Sequence, residues 1–418
     1  GGARRRVILM MRAWLLGLCL PVALLAADAP PDPAPLYEKR LKEVRKAKDC
    51  IALADFCERW TLLDRREEVL RKAVSLDPTC VEARTRLDQR LLGGEWLPAD
   101  EAEAREAEAR QAEGKVFYGA GWVDAKAAEK QRALDRKEIG WDAGVRFDTP
   151  HLVTYSDATL GAVRRLAATP ENEIEAYRRF HPKGFCPDKS LADLAAKKLK
   201  VFVFWDPEAF RRVGGKAYAE GGSALDPALS GFYHSGLRTL FVSHTPEDVS
   251  LRYLAITAVH EMFHGLDFVL AGIPSLDIPR WLVEGRACHF GWAVKGRQVL
   301  PGHVQFSELE LYPEALEQAA RAGAVKVTDL VRMDKAAFGK APEHYIMAWA
   351  LAHFLSHAEG GRHAEGFRRF LSGLPAGKGS PKDLEQAVGD LARLDAPFRA
   401  YVRDVLVPAA KASRKPAP

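Results

Sequence analysis

His260-Glu261-Met262-Phe263-His264, followed by Trp281-Leu282-Val283-Glu284-Gly285, is the stretch on which the reading of this chain turns. The first segment has the form H-E-x-x-H. Residues four apart share one face of an α-helix, so both imidazoles can grip one ion from adjacent turns. Zn²⁺ takes such nitrogens tetrahedrally, and a catalytic site keeps one position for water. His260, His264 and Glu284 supply three ligands, and Glu261, one residue round, faces the water as general base. Apolar residues at Leu251, Leu254, Ala255, Ala258, Val259, Met262, Phe263 and Leu266 recur at helical spacing. The spacing predicts a helix over 246–270, with Thr245 as N-cap, Pro246 at the first position, Glu247 and Asp248 in the first turn, and Gly272 and Pro274 as its stop.

The pair of segments resembles the gluzincin metallopeptidases, whose zinc is held by H-E-x-x-H and a glutamate on a following helix. Trp281 to Ala287 is similar to the W-L-N-E-G-F-A segment of the family that includes the zinc aminopeptidases, with 19 residues between His264 and Glu284 where that family has 18. Closer still are bacterial secreted peptidase-MA-like domains of unassigned substrate, which carry a G-F-Y strand upstream and a Y-x-x-A-W-A-L helix downstream. Gly231-Phe232-Tyr233 and Tyr345-Ile346-Met347-Ala348-Trp349-Ala350-Leu351 stand in those places. The resemblance covers roughly residues 146 to 405. It implies an α+β, zincin-like domain: a small twisted sheet, the H-E-x-x-H helix and a helical C-terminal subdomain. It also implies that Tyr345 donates to the developing oxyanion, with His344 as the fallback donor and a core packing role as the alternative. The Phe232-Tyr233 strand could pair with an extended substrate, or simply pack.

Three features depart from related patterns. Asp267 and Leu270 stand where the metzincin motif has a glycine and a third histidine. The G-A-M-E-N type motif that holds a substrate amino terminus in aminopeptidases is absent, which leaves endo- against exopeptidase open. Cys288 occupies the place, four after Glu284, of a supporting aspartate in thermolysin-like enzymes. Ligating histidines need a partner on the other ring nitrogen; Asp267 is one candidate, and a solvated Asp267 is the alternative.

A chain of 418 residues, 47% hydrophobic and 28% charged, has room for two or three packed domains. Its net charge of +5 is too small, and its basic residues too scattered among acids, to suggest nucleic acid as a partner. Residues 1–27 read as a signal peptide, with 1–9 a possible upstream extension: Met10-Met11-Arg12 precedes an apolar run ending in Ala26-Ala27. That run is shorter than the roughly 20 residues a bilayer needs, so no span is expected in the mature chain, and the expected location is secreted, periplasmic or envelope. An uncleaved membrane anchor is the alternative. Export leaves five cysteines in an oxidising compartment; Cys50 and Cys57 can pair with each other or with Cys80, but buried free thiols are the expected state.

The rest divides by composition. Residues 28–35 are a Pro-rich linker, and 36–92 are helices whose Ala73-Val74-Ser75-Leu76-Asp77-Pro78 ending is similar to a tetratricopeptide repeat. Residues 93–144 hold two Gly-Trp echoes, Gly94-Glu95-Trp96-Leu97 and Gly121-Trp122-Val123, each leading into a charged helix and together read as helical arms. The peptidase-like domain occupies 145–408 and a disordered tail 409–418. Strands are expected at 151–155, 199–205 and 238–243, a helix at 157–179, a flexible loop over 221–231, and further helices at 313–322, 342–358, 363–372 and 381–405. The function this implies is zinc-dependent hydrolysis of a peptide or protein substrate. A catalytically inactive binding module and a zinc amidase acting on cell-wall material are the rival readings.

Overall fold

The computed structural model describes residues 33–60, 62–220, 224–226, 229–244, 250–273, 278–302, 314, 316–318, 321, 325–341 and 343–412. The signal segment, the linker up to residue 32, Thr245 to Asp248, Gly221-Gly222, Pro274, most of 313–322 and the end of the tail lie outside them. No helix among the described residues is long and apolar enough to cross a membrane.

Helices α1 (Pro33–Glu43), α2 (Ala47–Arg59), α3 (Leu63–Leu76) and α4 (Val81–Arg86) open the chain. Pro33 and Pro35, read as linker, sit in the first turn of α1, where a missing N–H costs nothing. The four helices bury Cys50, Leu53, Phe56, Val69 and Leu70 in a core of their own. Cys50, Cys57, Cys80, Cys186 and Cys288 are all free thiols.

The Gly-Trp echoes prove to be more than helical arms. Each is a β-hairpin running into a helix: β1 (Gln89–Leu92), β2 (Glu95–Pro98) and α5 (Ala99–Ala112), then β3 (Lys115–Tyr118), β4 (Gly121–Asp124) and α6 (Ala125–Ile139). The starts of the three elements are offset by 26 residues in every case (89 to 115, 95 to 121, 99 to 125). The tryptophans take matching places, Trp96 opposite Leu91 and Trp122 opposite Phe117. Gly93 and Gly94 turn the first hairpin at φ of 58° and 88°, a backbone that favours glycine. The expected all-helical stretch therefore ends before Gln89.

The remainder is α+β. Strands β5 (Val145–Asp148), β6 (Leu152–Ser156), β7 (Leu199–Phe204), β8 (Gly231–His234) and β9 (Thr239–Ser243) form one sheet in the order β5-β6-β7-β9-β8. The β6-β7 and β7-β9 pairs are parallel and both edges antiparallel. Helix α7 (Leu160–Phe180) links β6 to β7 together with α8 (Asp188–Ala196), and α9 (Pro207–Glu220) follows β7. Trp141, Phe202, Phe204, Phe210, Phe232 and Phe241 pack on one face of the sheet. On the other, α7 and α10 (Leu251–Val269) bury Leu166, Tyr177, Leu254, Met262 and Phe263 in a core that runs on into the C-terminal helices.

Helix α11 (Arg280–Gly291) is buried along nearly its whole length, and a short hairpin of β10 (Val294–Lys295) and β11 (Gln298–Val299) follows it. This hairpin docks the N-terminal helices: Arg66 Nη2 donates to Gln298 Oε1 at 2.6 Å, and Arg297 pairs with Asp100 and Glu103. Then come α12 (Val327–Leu330), α13 (Lys335–Phe338), α14 (Glu343–His357), α15 (Ala364–Gly373), α16 (Pro381–Val388), α17 (Leu391–Tyr401) and α18 (Val407–Ala412). Gly389, at φ 92°, divides the helix expected over 381–405. The tail starts later than residue 409, since Ala410 is fully buried.

Candidate metal centre

Helix α10 starts at Ser250, whose Oγ accepts the Tyr253 N–H at 3.1 Å. The sheet edge lies directly on this helix. A Cβ at Gly231 would fall 2.7 Å from Thr257 and 3.0 Å from Glu261, so only glycine lets β8 approach. Helix α11 crosses α14 as tightly: a Cβ at Gly285 would stand 2.4 Å from the Ala348 carbonyl oxygen. These two contacts bring three helices and a strand edge together around His260, Glu261, His264, Glu284 and Tyr345.

The two imidazoles and one carboxylate converge. His260 Nε2 and His264 Nε2 are 3.2 Å apart, and Glu284 Oε2 is 3.1 Å from the first and 3.8 Å from the second. Ligand atoms about 2.05 Å from a tetrahedral ion stand roughly 3.3 Å from one another, so the three atoms fit one zinc. Side-chain exposures of 19% at His260 and 15% at His264 leave one face of the group open. Glu261 also brings a carboxylate oxygen within 4.8 Å of both imidazoles, so proximity alone does not divide ligand from base.

Electrostatics divides them. Burial alone would raise Glu284, but His264, His260 and Arg280 outweigh it and hold that carboxyl at about 2. Burial pushes Glu261 up to about 7; His260 and the Tyr233 backbone N–H pull it down, and the Glu284 charge adds to the rise. One carboxylate is thus kept ionised beside the imidazoles and the other is poised to take a proton near neutrality. Burial lowers His264 to about 3; at His260 burial is overcome by Cys288, Glu284 and Glu261, and the imidazole is raised.

Cys288, not Asp267, sits against the far side of His260: its Sγ is 3.7 Å from Nδ1. A proton on Nδ1 shared with that sulfur leaves the Nε2 lone pair facing the group. Asp267 is neither solvated nor a partner of the ligating rings. It is buried, takes two bonds from Arg286 at 2.9 and 3.0 Å, and accepts from the Tyr177 hydroxyl at 2.5 Å. Arg286 Nη2 also donates to His181 Nε2 at 2.7 Å, which ties α7, α10 and α11 together. Glu173 of α7 is fully buried with no partner for either oxygen among the described residues, and burial keeps its carboxyl protonated well above the usual range.

Tyr345 is half-buried beside the group, within the electrostatic reach of Glu284, Arg280 and His260. Burial raises the phenol above its ordinary value. His344 turns away, its Nδ1 on the Phe338 carbonyl at 2.8 Å. Arg280, which the sequence did not single out, also meets Glu284 Oε1 at 2.5 Å.

Phe232 points to the opposite face of the sheet and stacks on Phe241 at 4.7 Å. Tyr233 faces α10, packed on Gly265 and Phe268, its hydroxyl without a partner among the described residues. The Ser243 N–H donates to the Ser230 carbonyl, so Phe232 and His234 bond β9 while Gly231 and Tyr233 turn their backbone groups to the free edge. A cavity of about 520 Å³, lined by Glu58, Arg179, His181, Leu300, His357 and Phe367 among others, includes none of the metal-centre residues. Compared with known proteins, the chain matches no family model and no curated protein.

Proposed function

We propose that this chain is a zinc-dependent peptide-bond hydrolase of the gluzincin kind, acting on a peptide or protein outside the cytoplasm. The observation that carries the reading is the convergence of His260 Nε2, His264 Nε2 and Glu284 Oε2 at tetrahedral spacing on a partly open face, with Glu261 beside them. His260, His264 and Glu284 would hold the ion. Bound there, zinc would supply the Lewis acid that acidifies a water and polarises the scissile carbonyl.

The protein's own groups do the rest. Glu261, with a proton affinity near neutrality, accepts the proton from water and returns it to the leaving amine. Tyr345 donates its O–H to the oxyanion from beside the Arg280 charge. Gly231 offers free edge groups along which an extended substrate can lie, and the Tyr233 backbone N–H favours the ionised Glu261 carboxylate.

The test combines metal analysis with one substitution. The purified protein should carry one equivalent of zinc. Glu261→Gln should keep that zinc and stop cleavage of a broad peptide library. Zinc well below one equivalent after loading, or a Gln variant cleaving at near wild-type rate, overturns the reading.

A further inference from the structure

Arg280 opens α11 at the mouth of the metal centre. Its Nη2 meets Glu284 Oε1 at 2.5 Å, its charge reaches Tyr345, and 28% of the side chain is exposed. Its remaining N–H groups have no partner among the described residues. Holding Oε1 leaves Oε2 turned to the imidazoles, so the guanidinium already positions a ligand. Its outward donors do something more. With two neutral imidazoles, a divalent ion balances Glu261 and Glu284, and Arg280 then leaves the centre with a net positive charge. A guanidinium fork fits a carboxylate in a planar, two-point geometry that other anions or neutral amides match less well. Among the described residues, Glu284 is the one acid paired with it.

We infer that Arg280 is a specificity residue for a carboxylate next to the scissile bond, so that the substrates are acidic peptides or peptides cut beside a free C-terminus. The inference rests on the zinc-hydrolase reading, and its test is a binding measurement. Matched peptides, each with a free or amidated C-terminus and with Asp/Glu or Asn/Gln beside the cleavage position, are titrated into zinc-loaded Glu261→Gln protein. The same titrations are run with Arg280→Met and Arg280→Lys added, and zinc is measured in every sample.

A carboxylate should improve affinity about 10-fold over its amide, the size of one charge-assisted hydrogen bond. The preference should collapse in Arg280→Met and survive in part in Arg280→Lys. Loss of the preference on amidation alone identifies the terminal carboxylate; loss on Asn/Gln exchange alone identifies an acidic side chain. Equal affinity for carboxylate and amide peptides in protein that retains Arg280 and zinc overturns the inference and leaves the hydrolase reading standing. A preference that persists in zinc-bearing Arg280→Met also overturns it. Absence of zinc from every sample removes the underlying reading instead. If Arg280→Met alone loses zinc, the peptide comparison in the Arg280 and Arg280→Lys proteins still decides.

Discussion

Two histidine clusters lie on either side of α11, and they differ in what their nitrogens face. His260 and His264 on α10 put their Nε2 atoms 3.2 Å apart; so do His289 on α11 and His357 on α14. Both clusters contain a pair four residues apart, since His353 precedes His357 by one turn. The first pair meets the Glu284 carboxylate and keeps an open side. The second stacks, with ring planes 25° apart, and its third member is occupied: His353 Nδ1 takes the Tyr401 hydroxyl at 2.8 Å and Nε2 gives its proton to the Gly302 carbonyl at 3.3 Å. Spacing on a helix is therefore not what distinguishes them. A convergent anion does: Glu284 meets the first pair, no acid among the described residues pairs with the second, and the second cluster is better read as neutral packing.

The comparison breaks most visibly on metal content. His264→Ala and Glu284→Ala should each lose the whole zinc equivalent, while His289→Ala and His357→Phe keep it. Metal analysis showing zinc lost from the second pair of variants would make both clusters metal sites. Next comes Tyr345→Phe, which should lower kcat by about 10²–10³ with little change in KM, because the lost O–H acts on the oxyanion. Unchanged kinetics would reassign Tyr345 to packing.

Acid should then reveal the second cluster through its share of stability, read by difference from His353→Phe. Burial lowers His353 to about 4, and lowers His289 and His357 well below their ordinary value. The unfolded chain binds protons below about pH 6.5 that the folded one refuses, so stability is full above that pH and falls towards pH 4. His353 alone accounts for roughly 3 kcal/mol of the loss. Urea unfolding of zinc-free protein at pH 7 and pH 4.5, with His353→Phe as the control, measures it; an equal pH dependence in both proteins would deny the second cluster its part. The smallest effect is expected at Gly285→Ala. An added methyl against the Ala348 carbonyl should cost about 1–3 kcal/mol, and by shifting α14 it should disturb Tyr345 more than zinc content. A melting temperature equal to wild type would show that the crossing gives way freely.

What could be read from the linear chain follows from this contrast. His260, Glu261, His264 and Glu284 were legible because one helix period and one short segment hold them. Arg280 stands one turn before Glu284 on the same helix, but that spacing alone does not tell a carboxylate's partner from a solvated arginine; the 2.5 Å contact does. Asp267 and Arg286 look like any surface charges in sequence; only the packing of Tyr177 and His181 from α7 shows them as a buried group. Strands β7 and β9 are expected from their apolar runs, whereas β1 falls in the stretch expected to be helical and β2 in the Gly-Trp arms, divided by the Gly93-Gly94 turn. The hairpin after α11 gave no signal, since its strands are two residues long and its contacts come from the N-terminal helices.

The Asp267–Arg286 pair bears on how an ion would arrive. One breach of that pair would leave a charge stranded in the core, a loss of about 3–5 kcal/mol, so α10 and α11 are locked in register by groups that take no part in ligation. Such a scaffold would be finished before any ion bound, unlike small zinc folds that collapse only around their metal. A chelator should strip the ion and leave amide exchange in α10 and α11 as slow as before, with reloading as fast as diffusion into the open face allows.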